Sequence, residues 1–217
     1  MKKQTQTKKT TKQQAPDTLV VLLLDNTGSM QACKLEALSG YNAYFDSLRK
    51  EQLGNLRISV VQFNSIITNP LYNDVLLDEV KPMTDAQYLP VGNTPLYDAM
   101  GKLMESTEAK AKKRKVLFVT LTDGEENSSS RWTLAKLQAK MKQCEKKLKW
   151  TFVHLGVGAA GWEALQTVAR GTQSFANVLK TRQKDLKRSM ARAAAGTMSY
   201  ASSMDQEVVM GFWKGKP

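Results

Sequence analysis

Residues 19–30, LVVLLLDNTGSM, hold six consecutive aliphatic side chains followed at once by oxygen-bearing ones. The run 19–24 is too short to span a membrane and has the length of a buried central strand. Asp25, Thr27 and Ser29 then occupy alternate positions, so an extended loop directs their three side-chain oxygens to the same side. A carboxylate and two hydroxyls that converge where a strand ends predict a site for a hard cation such as Mg²⁺.

The rest of the chain alternates short aliphatic runs with segments of helical periodicity. These patterns predict strands at 18–24, 57–64, 66–72, 116–122, 150–156 and around Phe175. They predict helices at 31–50, 95–110, 131–149, 161–170 and 179–198, with a further short helix through 75–80. Such alternation is typical of a doubly wound α/β domain with helices on both faces of a mostly parallel sheet. The hairpin 57–72 makes one edge strand antiparallel.

Two terminal segments fall outside this predicted domain, which covers residues 17–196. Residues 1–16 are polar and rich in lysine, and they contain too little apolar surface to offset ordering, so we expect a disordered basic tail. Residues 197–217 form a C-terminal extension. Its end contains bulky side chains that gain free energy by leaving water, namely Val208, Val209, Met210, Phe212 and Trp213. They either fold back on the domain or dock on a partner or a second copy.

The positive charge lies almost entirely in the second half of the chain. The formal net charge is +12, and residues 110–217 hold 21 Lys/Arg against 8 Asp/Glu, whereas residues 1–109 hold 11 against 12. One interpretation is a nonspecific nucleic-acid interface, and the other is solubilising lysine on exposed helix faces. The candidate basic patch consists of Lys110, Lys112, Lys113, Arg114, Lys115, Lys184, Lys187 and Arg188.

Two further loops carry oxygen ligands toward the same edge of the predicted sheet. Asp123 directly follows the aliphatic strand 116–122, as Asp25 follows the first strand. Thr94 lies in a Gly/Asn loop before the helix that starts near Pro95. Because ligands of such sheets bind outside the carboxyl ends of the strands, these loops are expected to meet there.

The three loops together resemble the metal-ion-dependent adhesion site of von Willebrand factor type A domains. The matching motifs are Asp25-Asn-Thr-Gly-Ser29, Gly92-Asn-Thr94-Pro-Leu-Tyr-Asp-Ala and Leu121-Thr-Asp123-Gly-Glu-Glu. The chain does not contain the motif of an aspartic protease, a phosphotransfer site or a P-loop, because in each case a residue that the motif requires is missing. Thr27 and Asn93 replace a serine and a glycine that are common in the family, and neither change removes a ligand atom.

The resemblance implies a specific role for each ligand residue. Ser29 and Thr94 would bind the metal directly through their hydroxyls, while Asp25 and Asp123 would bind directly or through water. Thr27 takes the place of the first serine. The implied cofactor is Mg²⁺, with Mn²⁺ or Ca²⁺ as alternatives, and an Asp or Glu of a partner protein would complete the coordination. Family members commonly serve as adaptors in larger assemblies, and this chain carries no ATPase motif.

A catalytic role is not expected. His154, the only histidine, falls within a buried strand, where a satisfied core imidazole is expected; both cysteines, Cys33 and Cys144, fall on packing faces of helices. A reduced cytoplasmic protein is therefore expected, although a disulfide remains an alternative. No apolar run is long enough for a membrane span. Asp98 is expected to serve the first turn of its own helix, and Glu126 to remain solvated.

Overall fold

A computed structural model describes residues 17–51, 56–111 and 114–203. The described residues form a sheet of six strands: β1 Thr18–Asp25, β2 Leu56–Phe63, β3 Thr68–Leu76, β4 Lys115–Thr122, β5 Thr151–Val157 and β6 Val178–Thr181. Around it, the same part of the chain forms five α-helices: α1 Lys34–Lys50, α2 Leu96–Ala111, α3 Leu134–Leu148, α4 Gly158–Ala169 and α5 Leu186–Ser202. No described helix is long and apolar enough to cross a membrane.

The sheet is doubly wound, in the order β3-β2-β1-β4-β5-β6. Every neighbouring pair is parallel except β2 and β3, which form an antiparallel hairpin at one edge. The predicted fold class is therefore confirmed. The chain order reverses between β1 and β4, which lie side by side, and ligands of open α/β sheets bind at such a reversal.

The two faces of the sheet are covered by different helices, because side chains of buried parallel strands alternate between them. Val20 and Leu22 of β1 belong to the core that includes buried side chains of α1 and α5. Leu19 and Val21 belong to the second core, which includes buried side chains of α2, α3 and α4. Strand β1 is buried along its whole length, as its uninterrupted aliphatic run predicts.

The edge hairpin differs from its prediction. Strand β3 starts at Thr68 and continues through Val75 and Leu76, which were predicted to lie in a short helix. Val75 pairs with Ile58 of β2, so tertiary pairing extends the strand across both residues. The helical turn that follows is a short 3₁₀ segment, Leu77–Glu79.

The last strand and last helix also lie elsewhere than predicted. Phe175 is 43% exposed and belongs to a 3₁₀ helix, Gln173–Asn177, and not to a strand. Strand β6 follows it and pairs with β5, so Leu179 is part of a strand and α5 begins only at Leu186. Helix α5 then continues past residue 196 to Ser202 and buries Tyr200.

The first helix starts later than predicted but buries most of its apolar face. Gly28–Cys33 forms a 3₁₀ helix, and α1 begins at Lys34. Tyr41, Phe45 and Leu48 are buried. Leu35 is 70% exposed, because it lies about 200° around the helix from buried Ala37. The tail 1–16 and the segment 204–217 lie outside the described residues.

Candidate metal centre

The first loop, residues 25–29, follows β1 at the point where the chain order reverses. The Asp25 side chain is fully buried, and both of its oxygens accept hydrogen bonds. The Thr27 backbone N–H donates to Asp25 Oδ1 at 2.8 Å, and the Thr122 hydroxyl of β4 donates to Asp25 Oδ2 at 2.5 Å. Thr27 Oγ1 lies 3.2 Å from Ser29 Oγ. The alternate spacing therefore does place these oxygens on one side of the loop.

The third loop, residues 123–127, follows β4 and meets the first loop directly. Ser29 Oγ donates to Asp123 Oδ1 at 2.7 Å, across 94 residues of chain. Gly124 sits beside both other loops, since a Cβ there would lie 3.2 Å from Ser29 Oγ and 3.4 Å from Thr94 Oγ1. Because Gly124 has no side chain, the space next to the Ser29 and Thr94 hydroxyls stays open.

The second loop, residues 92–94, is tied by its backbone to the other two. The Gly28 N–H donates to the Gly92 carbonyl at 2.9 Å, where Gly92 has a φ of +78° that favours glycine. The Thr94 N–H donates to Asn127 Oδ1 at 2.8 Å, and the Asn127 N–H donates back to the Thr94 carbonyl at 3.1 Å. All five predicted ligand residues are therefore brought to one place.

The two carboxylates of the site are both desolvated. Burial raises the pKa of Asp25 to about 6, and the nearby negative charge of Asp123 adds to the rise, against the hydrogen bonds from Thr122 and Thr27. Burial also raises the pKa of Asp123, while the bond from Ser29 lowers it. Within residues 17–51, 56–111 and 114–203, no Lys or Arg forms an ion pair with either carboxylate.

The donor set fits a hard divalent cation. It consists of two carboxylates and three neutral hydroxyls, the oxygen ligands that Mg²⁺ accepts together with water. Two buried atoms in or next to the loops, Asn26 Oδ1 and Ser128 Oγ, have no hydrogen-bond partner among the residues that the structure describes, so polar capacity remains unused there. The described residues contain no group of three or more His, Cys, Asp or Glu side chains placed to hold a metal ion, and a site in which three of the five ligands are hydroxyls does not need one.

Two acidic residues have other roles than expected from sequence. Glu126, expected to be solvated, accepts hydrogen bonds from the Tyr97, Ser128 and Ser129 backbone N–H groups and so joins the third loop to the start of α2. Asp98, expected to serve its own helix, accepts from three consecutive N–H groups before α3, those of Ser130, Arg131 and Trp132. Both carboxylates therefore fix loops around the site.

Sequence reasoning missed two residues that hold Asp25. The Thr122 hydroxyl binds its carboxylate, and the buried Tyr88 hydroxyl donates to its backbone carbonyl at 2.6 Å. Thr122 adjoins a predicted ligand, which is a weak local signal for a supporting role. Tyr88 lies 63 residues from Asp25 in a segment without periodicity, so nothing local indicates the contact.

The buried histidine is not satisfied as expected. His154 is fully buried in β5, and neither ring nitrogen has a hydrogen-bond partner among the described residues. Its register neighbour on β4, Thr120, is also fully buried, and its hydroxyl likewise has no partner in the described part of the chain. Desolvation lowers the pKa of His154 to about 3. The imidazole is therefore neutral at physiological pH. It lies within β5 and is not one of the predicted ligand residues.

The candidate basic residues do not form one surface. Arg114 donates to both carboxylate oxygens of Asp74 at 2.7 Å, and Lys115 Nζ donates to the Ser203 carbonyl at 2.6 Å. Lys184, Lys187 and Arg188 are exposed around the start of α5, near the carboxyl end of β6, whereas Arg114 and Lys115 lie at the amino end of β4. Lys110 is exposed at the end of α2, and Lys112 and Lys113 lie outside the described residues.

Comparison with known proteins gives a family and several structural relatives. The sequence profile of the von Willebrand factor type A domain matches residues 20–191. The von Willebrand factor type A protein from Catenulispora acidiphila superposes with a TM-score of 0.61 at 15% identity, covering 84% of this chain and 43% of that one. The vWF domain of the type V pili tip protein Mfa5 from Porphyromonas gingivalis gives 0.64 at 11% identity, covering 88% and 98%.

A third relative is the pilus adhesin SpaC from Lactobacillus rhamnosus GG, with a TM-score of 0.63 at 14% identity. The match covers 87% of this chain and 31% of the adhesin. The chain thus spans less than half the length of the Catenulispora and Lactobacillus proteins. At these identities the likeness concerns the fold alone. No curated protein sequence matches the chain.

Proposed function

The chain belongs to the von Willebrand factor type A family, and from that premise we propose that it is a non-catalytic binding module whose divalent cation receives an Asp or Glu of a partner protein. Domains of this family commonly mediate protein–protein interaction or adhesion. The ion in this proposal is Mg²⁺, with Mn²⁺ or Ca²⁺ as substitutes. Two free, buried thiols, Cys33 and Cys144, are compatible with a reducing, cytoplasmic compartment, which we include in the proposal.

The observation that carries the proposal is the meeting of five oxygen-bearing side chains at the β1–β4 reversal. Ser29, Thr94 and Asp123 would hold the ion, with Asp25 and Thr27 behind them, since Asp25 is the more deeply buried carboxylate. The bound ion supplies Lewis acidity that attracts one more anionic oxygen. The protein itself positions the ligands through hydrogen bonds, and among the described residues no Lys or Arg forms an ion pair with either carboxylate.

Apolar side chains around the loops support a protein as the partner. Ile66, Ile67 and Val91 are 67%, 48% and 47% exposed, and a Cβ at Gly92 would lie 3.5 Å from Ile66 Cγ1. Exposed aliphatic side chains beside a polar site are typical of protein interaction surfaces. We therefore expect the partner to present its carboxylate next to apolar residues.

Thermal unfolding with and without Mg²⁺ or Mn²⁺ tests the proposal. An ion at 100 times its dissociation constant stabilises the folded state by about 2.7 kcal/mol, or about 5–10 °C for a domain of this size. The variant Asp123→Asn, which keeps the side-chain size but removes the charge, is expected to lose this shift. Titration must reach millimolar ion, because the partner carboxylate is absent from the assay.

Glu125→Gln provides the matched control. It removes a negative charge from the same loop, and the Glu125 side chain is exposed and makes no described hydrogen bond to the other loops. Its metal-induced shift is expected to equal that of the wild type. Equal shifts in wild type, Asp123→Asn and Glu125→Gln would show that the ion binds elsewhere. A pull-down with and without EDTA then identifies partners that require the ion.

A further inference from the structure

A second concave surface lies away from the metal-ligand loops, between the edge strand β3 and helix α2. This groove has a volume of about 270 Å³ and is mostly apolar. Leu19 and Val61 of the sheet form its floor, and Pro70 and Leu103 contribute to its walls. It lies on the face of the sheet that α2, α3 and α4 cover, and it opens where the sheet ends.

The rim of the groove carries excess positive charge. Lys102 and Lys110 line it, both are exposed, and neither forms an ion pair within the described part of the chain. Asp74 also lines it, but this carboxylate is shared between Arg57 and Arg114, with contacts of 2.6 and 2.7 Å. The groove is therefore suited to a ligand that is apolar with adjoining negative charge.

The chain leaves helix α5 close to one end of this groove. Lys115 at the start of β4 donates to the Ser203 carbonyl at 2.6 Å, which fixes the last described residue at the amino edge of the sheet. The preceding residue, Arg114, binds Asp74, which lines the groove. Strands β4 and β2 are two positions apart in the sheet, a lateral distance of about 10 Å.

We propose that residues 205–213, DQEVVMGFW, bind in this groove as an intramolecular ligand. Val208 is the fifth residue after Ser203 and reaches about 17 Å along an extended chain, and Trp213 reaches about 33 Å. Either distance suffices to pass around the amino edge of the sheet onto the α2 face. The apolar residues of the segment would then cover surface that is otherwise in contact with water.

The order of residues in the segment matches the order of features along the groove. Asp205 and Glu207 come first, near the end of α2 where Lys110 lies, and the apolar side chains follow toward the middle of the helix. Phe212 and Trp213 are large enough to fill most of the apolar volume. The bound segment would brace α2 against β2 and β3.

Disulfide trapping in the full chain tests this proposal. Ser106 is exposed and lines the groove, so Ser106→Cys with Val209→Cys places two thiols within reach if the segment is bound there. The native thiols of Cys33 and Cys144 are buried and do not compete. We expect an intramolecular cross-link, identified by mass spectrometry after mild oxidation, to form at least about ten times faster than in the control, because binding raises the effective concentration.

The control pairs Val209→Cys with Ser47→Cys on α1, which belongs to the opposite face of the sheet. Equal rates for the two pairs, or no intramolecular cross-link in either, would overturn the proposal. Cross-linked dimers as the main product would also overturn it and assign the groove to a second copy. Replacing the rim lysine at the end of α2, Lys110→Glu, is expected to slow trapping several-fold. An unchanged rate would overturn the pairing of Lys110 with Asp205 and Glu207.

Discussion

Acidification is predicted to destabilise the fold through one residue, the buried histidine of β5. His154 has a pKa of about 3 in the folded protein, because desolvation opposes its charge, against 6.5 for an exposed imidazole. Between these two values the unfolded chain binds one proton more than the folded protein at this site. The contribution of His154 to the free energy of unfolding therefore becomes less favourable as the pH drops through 6.5 toward 3.

The size of the effect follows from the difference between the two pKa values. At pH 5.0, protonation of the imidazole in the unfolded chain lowers the free energy of unfolding by about 2 kcal/mol, since each pH unit below 6.5 contributes about 1.4 kcal/mol. The full effect, reached near pH 3, is on the order of 5 kcal/mol. Because folded domains are commonly stable by only about 5–15 kcal/mol, the loss at pH 5.0 is measurable.

Denaturant unfolding of wild type and His154→Gln at pH 7.5 and 5.0, both in EDTA, measures this contribution. Other groups titrate in the same range, and the raised pKa of Asp25 contributes with the opposite sign, but they titrate in both proteins and cancel in the comparison. Between pH 7.5 and 5.0, the free energy of unfolding of the wild type is expected to fall by about 2 kcal/mol relative to that of the variant. A difference below about 0.5 kcal/mol would refute the reasoning, whatever the absolute stability of the variant.

Two further substitutions test the supports of the fold and of the site. Gly161→Ala places a Cβ 2.5 Å from the Thr122 carbonyl oxygen and 2.8 Å from Asp123 Cα. We therefore expect calorimetry to show weaker Mn²⁺ binding in a domain that still folds. An unchanged affinity would contradict the importance of this contact. Arg114→Ala removes both hydrogen bonds to Asp74 and is expected to lower the free energy of unfolding in urea by about 1–3 kcal/mol. The control is Arg188, whose side chain is 86% exposed, and Arg188→Ala should lower it by less than about 0.5 kcal/mol. Equal effects would contradict the structural role of Arg114.

The parts of the fold that were predictable from sequence are those whose apolar pattern is long. Strands β1 and β4 are continuous aliphatic runs, and their burial on both faces follows from that composition alone. Strand β6 has only four residues, of which two are partly buried and one is exposed, so no pattern marks it. Its position is determined by pairing with β5, a tertiary contact that outweighs local propensity.

The residues of the candidate site likewise fall into those that could be predicted from local sequence and those that could not. Candidate residues that follow a strand directly, such as Asp25 and Asp123, were identifiable because strand ends and hydroxyl spacing are local features. The residues that orient them were not, because Tyr88 and Glu126 act through bonds to loops distant in sequence. His154 was correctly predicted as buried, but its lack of partners depends on the packing around it.

The link between Ser29 and Asp123 spans 94 residues and has a consequence for how the protein is made. The first half of the site leaves the ribosome long before β4, which must insert beside β1 to complete it. Contacts of such separation carry a large loop-closure cost and form late in folding. Until β4 arrives, β1 has one of its two final neighbours to pair with and exposes a long aliphatic edge. If the proposed ion site is correct, a growing chain can bind the ion only after β4 has inserted, and ion binding would report that step.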